Sequence, residues 1–176
     1  MERRSHGEME LWDAYDAELN RIEGMTLVRG RDHEIPEGVY HLVCFVLVRH
    51  ADGDYLLMLR DPRKPGGGRW EATAGGSALR GESPEDCARR ELFEETGIRA
   101  GRLTELARAV SRTGPAVQVD FFCETDCGKR DVVPQEGETA GYRWASREEL
   151  LGLGDNLLIR ESARRLVENA GREDPV

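Results

Sequence analysis

Apolar residues crowd most densely between Val39 and His50. Val39, His41, Val43, Phe45, Leu47 and Arg49 fall on one side of a two-residue repeat, and Tyr40, Leu42, Cys44, Val46 and Val48 on the other. A strand that is largely apolar on both faces is covered on both, so this stretch is expected at the centre of a sheet. Ala51-Asp52-Gly53-Asp54 has the composition of a turn, and Tyr55 to Arg60 is expected to return as its partner. Upstream, Met9 to Asp16 and Arg21 to Gly30 read as two strands around Ala17-Glu18-Leu19-Asn20, a hairpin laid against the core. Asp32 to Gly38, with Pro36, reads as a linker. Downstream, Trp70 to Ala74 is expected as a short strand feeding Gly75-Gly76. Leu103 to Arg112 and Val117 to Glu124 are expected to pair around Thr113-Gly114-Pro115, and Tyr142-Arg143-Trp144 to add a brief strand.

Three stretches carry helical signals instead. Ser83 is a good N-cap, Pro84 suits the first helical position, Asp86 can close a capping box, and Gly97 sits where a left-handed stop belongs. Ser146 with Glu149 repeats the capping pattern for a short helix. Asn156 to Ala170 is expected as a final amphipathic helix with Leu157, Leu158, Ala163, Leu166 and Val167 on its apolar side. Strands, one acidic helix, more strands and a terminal helix suggest an α/β fold, an α/β/α sandwich around a mixed β-sheet. Residues 1–34 then form a β-hairpin extension and 35–176 the main domain.

Composition narrows the partners. The chain has 176 residues, enough for a single domain with a sizeable core, and 39% hydrophobic against 34% charged residues fits a globular protein. A net charge of −9 argues against a nucleic-acid polymer or an anionic membrane surface as partner. No signal-like apolar region opens the chain and no run approaches membrane-spanning length, so a cytoplasmic location is the expectation. Cys44, Cys87, Cys123 and Cys127 lack zinc-finger spacing and imply no disulfide framework; the first three read as buried free thiols. Trp12 and Tyr15 have the area to pack the extension on the domain. They are also residues that stack on bases or make dimer contacts, and a homodimer is entertained on that ground.

The chemistry gathers in GSALRGESPEDCARRELFEETGI, Gly76 to Ile98. Glu91, Glu94 and Glu95 stand at i, i+3 and i+4, so three carboxylates share one helix face and repel one another. Taken alone, a glutamate-rich face is usually just solvated. Something positive among them is the alternative, and a hard divalent cation with oxygen ligands, Mg2+ above all, is the natural choice where phosphates are handled. Arg60, Arg63 and Lys64, in and beside the loop Asp61 to Gly68, form a small basic cluster suited to clamping phosphate.

The spacing of Gly76, Glu82, Arg90-Glu91-Leu92, Glu94-Glu95 and Gly97-Ile98 resembles the Nudix box in full. Seven fixed identities would coincide by chance at ~10⁻⁸ per starting position. The resemblance to the Nudix hydrolase family runs from about Val39 to Ala170 and implies the same sandwich fold. It implies cleavage of a diphosphate in a nucleoside diphosphate–X type substrate, by water attacking phosphorus, with Mg2+ or Mn2+ bridging phosphate oxygens. Matched position by position, Glu91, Glu94 and Glu95 would hold metal, with the Gly76 carbonyl as a further ligand. Glu82 would bind a second ion or tie the loop to the helix. Arg90 would orient Glu94. Family members draw the general base from different places, and Glu138, in the polar loop Gly128 to Thr139, is the candidate here. The partner expected is a small-molecule diphosphate.

Two other readings are weighed. Trp12, Tyr15 and the HLVCF run at 41–45 are similar to the isopentenyl diphosphate isomerase-like branch, but the stretch Glu71-Ala72-Thr73-Ala74-Gly75-Gly76 lacks the cysteine that branch uses to protonate an alkene. A non-catalytic nucleotide sensor on the same fold usually loses box glutamates, and all are present.

Overall fold

A computed structural model describes residues 10–170. The strongest apolar run becomes strand β3 (His41–His50), and the sheet is built outward from it. On one side β3 runs parallel to β8 (Ala116–Thr125) over its whole length, His41 opposite Ala116 through His50 opposite Thr125. On the other its middle pairs antiparallel with β6 (Thr73–Ser77), and its end meets β4 (Tyr55–Arg60) at Arg49–Tyr55. β4 continues the sheet to β5 (Trp70–Glu71) and β9 (Thr139–Ala145), and β7 (Leu103–Val110) closes the far edge against β8. With β10 (Leu157–Leu158) parallel to β5, the described residues contain an eight-stranded mixed sheet.

The two apolar faces of β3 are explained by what covers them. Cys44, Val46 and Val48, with Leu56, Met58, Val119 and Phe121, pack under helix α1 (Pro84–Thr96) through its Cys87, Ala88 and Leu92. Leu47, Tyr55, Leu57 and Ala145 pack instead under α2 (Arg147–Gly152) and α3 (Glu161–Asn169) through Leu150, Ala163 and Val167. The alternation of β4, with Leu56 and Met58 one way and Tyr55 and Leu57 the other, is thus a record of two separate cores. The α/β sandwich around a mixed sheet is what forms. Among the described residues no helix is long and apolar enough to cross a membrane.

The hairpin is present as β1 (Leu11–Tyr15) paired antiparallel with β2 (Arg21–Val28); Met9, expected in its first strand, lies outside the described residues. Tyr15 and Tyr40 exchange backbone hydrogen bonds at 2.8 and 2.9 Å, and Trp12 stacks on His41 with ring centroids 4.0 Å apart.

Three expectations are corrected. The last helix starts at Glu161, not Asn156, because Leu157 and Leu158 run as a strand whose Leu158 carbonyl accepts from the Ala72 N–H at 2.9 Å. Adjacent leucines serve a covered strand as well as a helix face, and this pair caps a sheet edge. The stretch Trp70 to Ala74 is two strands, not one, broken at Ala72, and Gly75-Gly76 lie inside β6 rather than after it. A Cβ on Gly75 would stand 2.2 Å from the Cys44 carbonyl oxygen, so β6 approaches β3 this closely only because the residue is glycine. The brief strand at 142–144 extends over Thr139–Ala145, recruited by pairing along the whole of β4.

The closure of the core under α1 rests on Leu92, which has no exposed surface. Leu92→Ala is expected to lower unfolding free energy by about 2–5 kcal/mol, read from urea denaturation monitored by circular dichroism. A loss under about 1 kcal/mol would show that this interface collapses around the gap.

Candidate active site

The acidic helix is set in place by local chemistry at both ends. Ser83 accepts from the Asp86 N–H and Asp86 reaches back to Ser83, a complete capping box, and Gly97 adopts φ 74° at the stop. Helix α1 therefore enters and leaves at fixed residues, and the carboxylates between them have a fixed face.

Arg90 organises that face. Its Nε and one terminal nitrogen grip both oxygens of Glu82 at 2.6 and 2.8 Å, while the other terminal nitrogen donates to Glu91 at 2.6 Å and Glu94 at 3.1 Å. It also donates to the Ser77 carbonyl at 3.0 Å. Burial works against its charge, but Glu82 and Glu91 outweigh that and raise its pKa further. The expected Arg90–Glu94 contact exists, yet Glu82 is the tighter partner. Glu82 in turn accepts from the Leu79 N–H at 2.8 Å, so it does tie the loop to the helix.

Glu91 lies against Gly76. A Cβ there would sit 2.6 Å from the Glu91 carboxylate, so the absent side chain is what admits the acid. The Gly76 carbonyl accepts from the Cys87 thiol at 3.5 Å. Glu95 is placed one residue away, accepting from the Gly75 N–H at 3.3 Å. Burial first, then the charges of Glu91 and Glu71, push its pKa up to about 8, with the Gly75 N–H and then Lys64 only partly offsetting them. Burial raises Glu91 as well, against the pull of Arg90.

Among the described residues no three His, Cys, Asp or Glu side chains converge ready-made on one point. The guanidinium of Arg90 stands among Glu82, Glu91 and Glu94 and holds them apart. The donor set itself fits a hard divalent cation: carboxylates and a carbonyl, all oxygen, with Glu95 desolvated and, among the described residues, bonded to no cationic side chain. A group whose charge is that poorly compensated is where a cation gains most.

The basic cluster divides. Arg60 donates to Glu71 at 3.2 Å and to the Pro65 carbonyl at 2.8 Å, and Lys64 pairs with Glu138. Both act on this neighbourhood, since Arg60 and Lys64 each counter the burial that raises Glu71. Arg63 is not brought in: it grips Asp61 at 2.6 and 2.8 Å with a side chain 79% exposed, and holds that carboxyl well below the usual range. Glu138 reaches the rim because the Asp61 N–H donates to its carbonyl at 3.0 Å just before β9 begins. His41 is buried under Trp12, and that burial lowers its pKa.

Glu71 is the acid that sequence reasoning passes over. Its signal is a charge inside the apolar run Trp70-Glu71-Ala72, where burial must be compensated by partners that pattern alone does not name.

An acidic helix laid on a mixed sheet, its carboxylates crowding two glycines of the neighbouring strand, has clear relatives. The family model of the NUDIX domain matches residues 39–169, and the chain belongs to that family. It is a Nudix hydrolase. A Listeria monocytogenes protein described as an uncharacterized Nudix hydrolase is 32% identical over 146 residues, covering 82% of this chain and 85% of its own. The NAD-capped RNA hydrolase NudC of Pseudomonas syringae is 33% identical over 136 residues, 74% of this chain but 46% of NudC, so the match spans about half of that relative. A crystal structure from Deinococcus radiodurans superposes with a TM-score of 0.65 at 18% identity, covering 91% of this chain and 98% of the other, a likeness of fold.

One contribution to the pH response of the metal-free protein comes from Glu95. With its folded pKa raised, the native chain holds a proton that the unfolded chain releases in the ordinary carboxylate range, so this group's stabilisation fades as pH rises towards about 8. Calorimetry in EDTA is expected to show a shallower fall in Tm from about pH 5 to about pH 8.5 for Glu95→Gln than for the wild type. Parallel falls would mean that Glu95 is well solvated.

Proposed function

We propose that the chain is a divalent-metal-dependent hydrolase that cleaves the diphosphate of a nucleoside diphosphate–X substrate, with water attacking phosphorus. The observation that carries this reading is the crowding of Glu91 and Glu95 against Gly76 and Gly75, with the charge on Glu95 left largely uncompensated. Glu91, Glu94, Glu95 and the Gly76 carbonyl would hold Mg2+ or Mn2+, while Glu82 keeps both oxygens on Arg90. Bound there, the cation supplies charge neutralisation at phosphate and a more acidic water.

The chain's own residues have definable tasks. Arg90 holds Glu82, Glu91 and Glu94 in register and limits their mutual repulsion. Lys64 and Arg60 are the cations nearest the acids from the loop side and would take phosphate oxygens. Lys64 now pairs with Glu138; on transferring to phosphate it would release that carboxylate to accept a proton from the attacking water. Arg63, committed to Asp61 and pointing outward, has no part in this arrangement.

A small-molecule substrate is favoured by the net charge of −9. A nucleotide diphosphate is in keeping with relatives such as NudC, whose described substrate, NAD-capped RNA, carries one.

The test is phosphate-bond cleavage across a panel of nucleoside diphosphate derivatives, dinucleoside polyphosphates and prenyl diphosphates, with and without Mg2+. One class is expected to be cleaved only with metal, and Glu94→Gln is expected to lower kcat by at least ~10²-fold. Nucleotide binding without turnover, equal in both proteins, would replace this reading with the sensor.

A further inference from the structure

The N-terminal hairpin lies before residue 39, where the family match begins, yet it is bonded to the loop that leads into α1. Asp13 sits between Trp12 and Ala14 on β1 with only 3% of its surface exposed. A carboxylate so placed must find donors. Its Oδ2 accepts from the Gly81 N–H at 2.7 Å, and its Oδ1 faces Arg21 of β2 at 3.0 Å. One residue earlier in the loop, the Arg80 N–H donates to the Leu11 carbonyl at 2.9 Å. Two consecutive loop amides are thus fastened to one strand.

That strand is itself immobilised. Tyr15 exchanges both backbone hydrogen bonds with Tyr40, and Trp12 is stacked on His41 at the start of β3. The loop residue that follows the two fastened amides is Glu82, which grips Arg90 with both oxygens. Gly81, whose amide reaches Asp13, has φ +86°, a conformation that a side-chain-bearing residue takes only under strain. A continuous path of bonds therefore runs from the hairpin to the acidic face: Asp13 to Gly81, along the chain to Glu82, and through Arg90 to Glu91 and Glu94.

We propose that Asp13 is a positioning residue for the divalent cation: by fixing Gly81 and hence Glu82, it keeps Arg90 anchored to Glu82 and so leaves Glu91 and Glu94 able to accept metal. If Glu82 loosens, Arg90 is free to close fully on Glu91 and Glu94 and competes with the cation for the same oxygens. This rests on the reading of those carboxylates as metal-binding. It also gives the hairpin a task of its own, supporting the site from outside residues 39–169, the part that the family model matches.

Mn2+ binding to the full chain without substrate, followed by the electron paramagnetic resonance of the free ion, tests it. Asp13→Ala is expected to weaken Mn2+ binding about tenfold, the usual cost of losing a group that orients metal ligands. Asp13→Asn keeps an oxygen for Gly81 and is expected to bind like the wild type, as is Arg21→Met, which removes only the ion pair. Unaltered binding in Asp13→Ala, or equal weakening in Asp13→Ala and Asp13→Asn, overturns the proposal. Glu94→Gln is run beside them: if it too binds Mn2+ normally, it is the metal-site reading that has failed. Should Asp13→Ala not fold, the wild type still decides. Binding and loop order are reciprocal, so saturating Mg2+ is expected to slow hydrogen exchange at the Arg80 and Gly81 amides, and unchanged exchange there overturns the coupling.

Discussion

Arg90 has five N–H donors in a rigid fork, and the structure spends them on Glu82, Glu91, Glu94 and the Ser77 carbonyl. Without that guanidinium, helix α1 would present carboxylates to one another at i, i+3 and i+4 against a sheet that excludes water from part of the cluster. The ion network makes the acidic face compatible with burial. It also fixes the approach of the preceding loop, since Glu82 is both an Arg90 partner and an acceptor for the Leu79 amide. Fold and chemistry meet at this one side chain. Glu95 is left outside the network, and burial makes its ionisation costly.

The two glycines of β6 show how the backbone makes room. Gly75 permits a close approach to Cys44, and Gly76 permits Glu91 to lie on the strand. The close packing of β6 and the seating of an acid against it are thus paired requirements, met by the same short stretch. The thiol of Cys87, whose contact with Cys44 and burial raise its pKa, donates to the Gly76 carbonyl from beneath. It packs and holds rather than reacts.

Much of this was legible from the chain alone, for identifiable reasons. Apolar alternation gave β3 and β4 because both cores lie on them, and the Ser83, Pro84, Asp86 and Gly97 signals bounded α1 because capping is a local matter. Box spacing pointed to Glu82, Arg90, Glu91, Glu94 and Glu95, and the structure gathers all five around α1. What escaped was set by tertiary contact. Leu157-Leu158 reads equally well as helix or strand until β5 offers an edge to pair with. Glu71 and Asp13 are single charges within apolar runs, and only their partners from distant segments tell why they are there. Arg63 and Lys64 are neighbours of like composition, yet one turns outward to Asp61 and the other inward to Glu138, a choice that the loop's backbone makes.

The parallel pairing of β3 with β8 also bears on how the molecule assembles. Arg49 and Glu124, bonded across that pair, are 75 residues apart in the chain. Everything between them, including the whole acidic helix, is closed into one loop when the central pair forms, an entropic cost met before its contacts are gained. During synthesis the helix and its glutamates leave the ribosome well ahead of the strand that completes their floor. Until β8 emerges, half of the central surface of β3 has no neighbour, and the nascent chain carries an apolar edge open to other chains. The chemistry of this protein therefore becomes available late, once strands far downstream have paired with β3, β4 and β5.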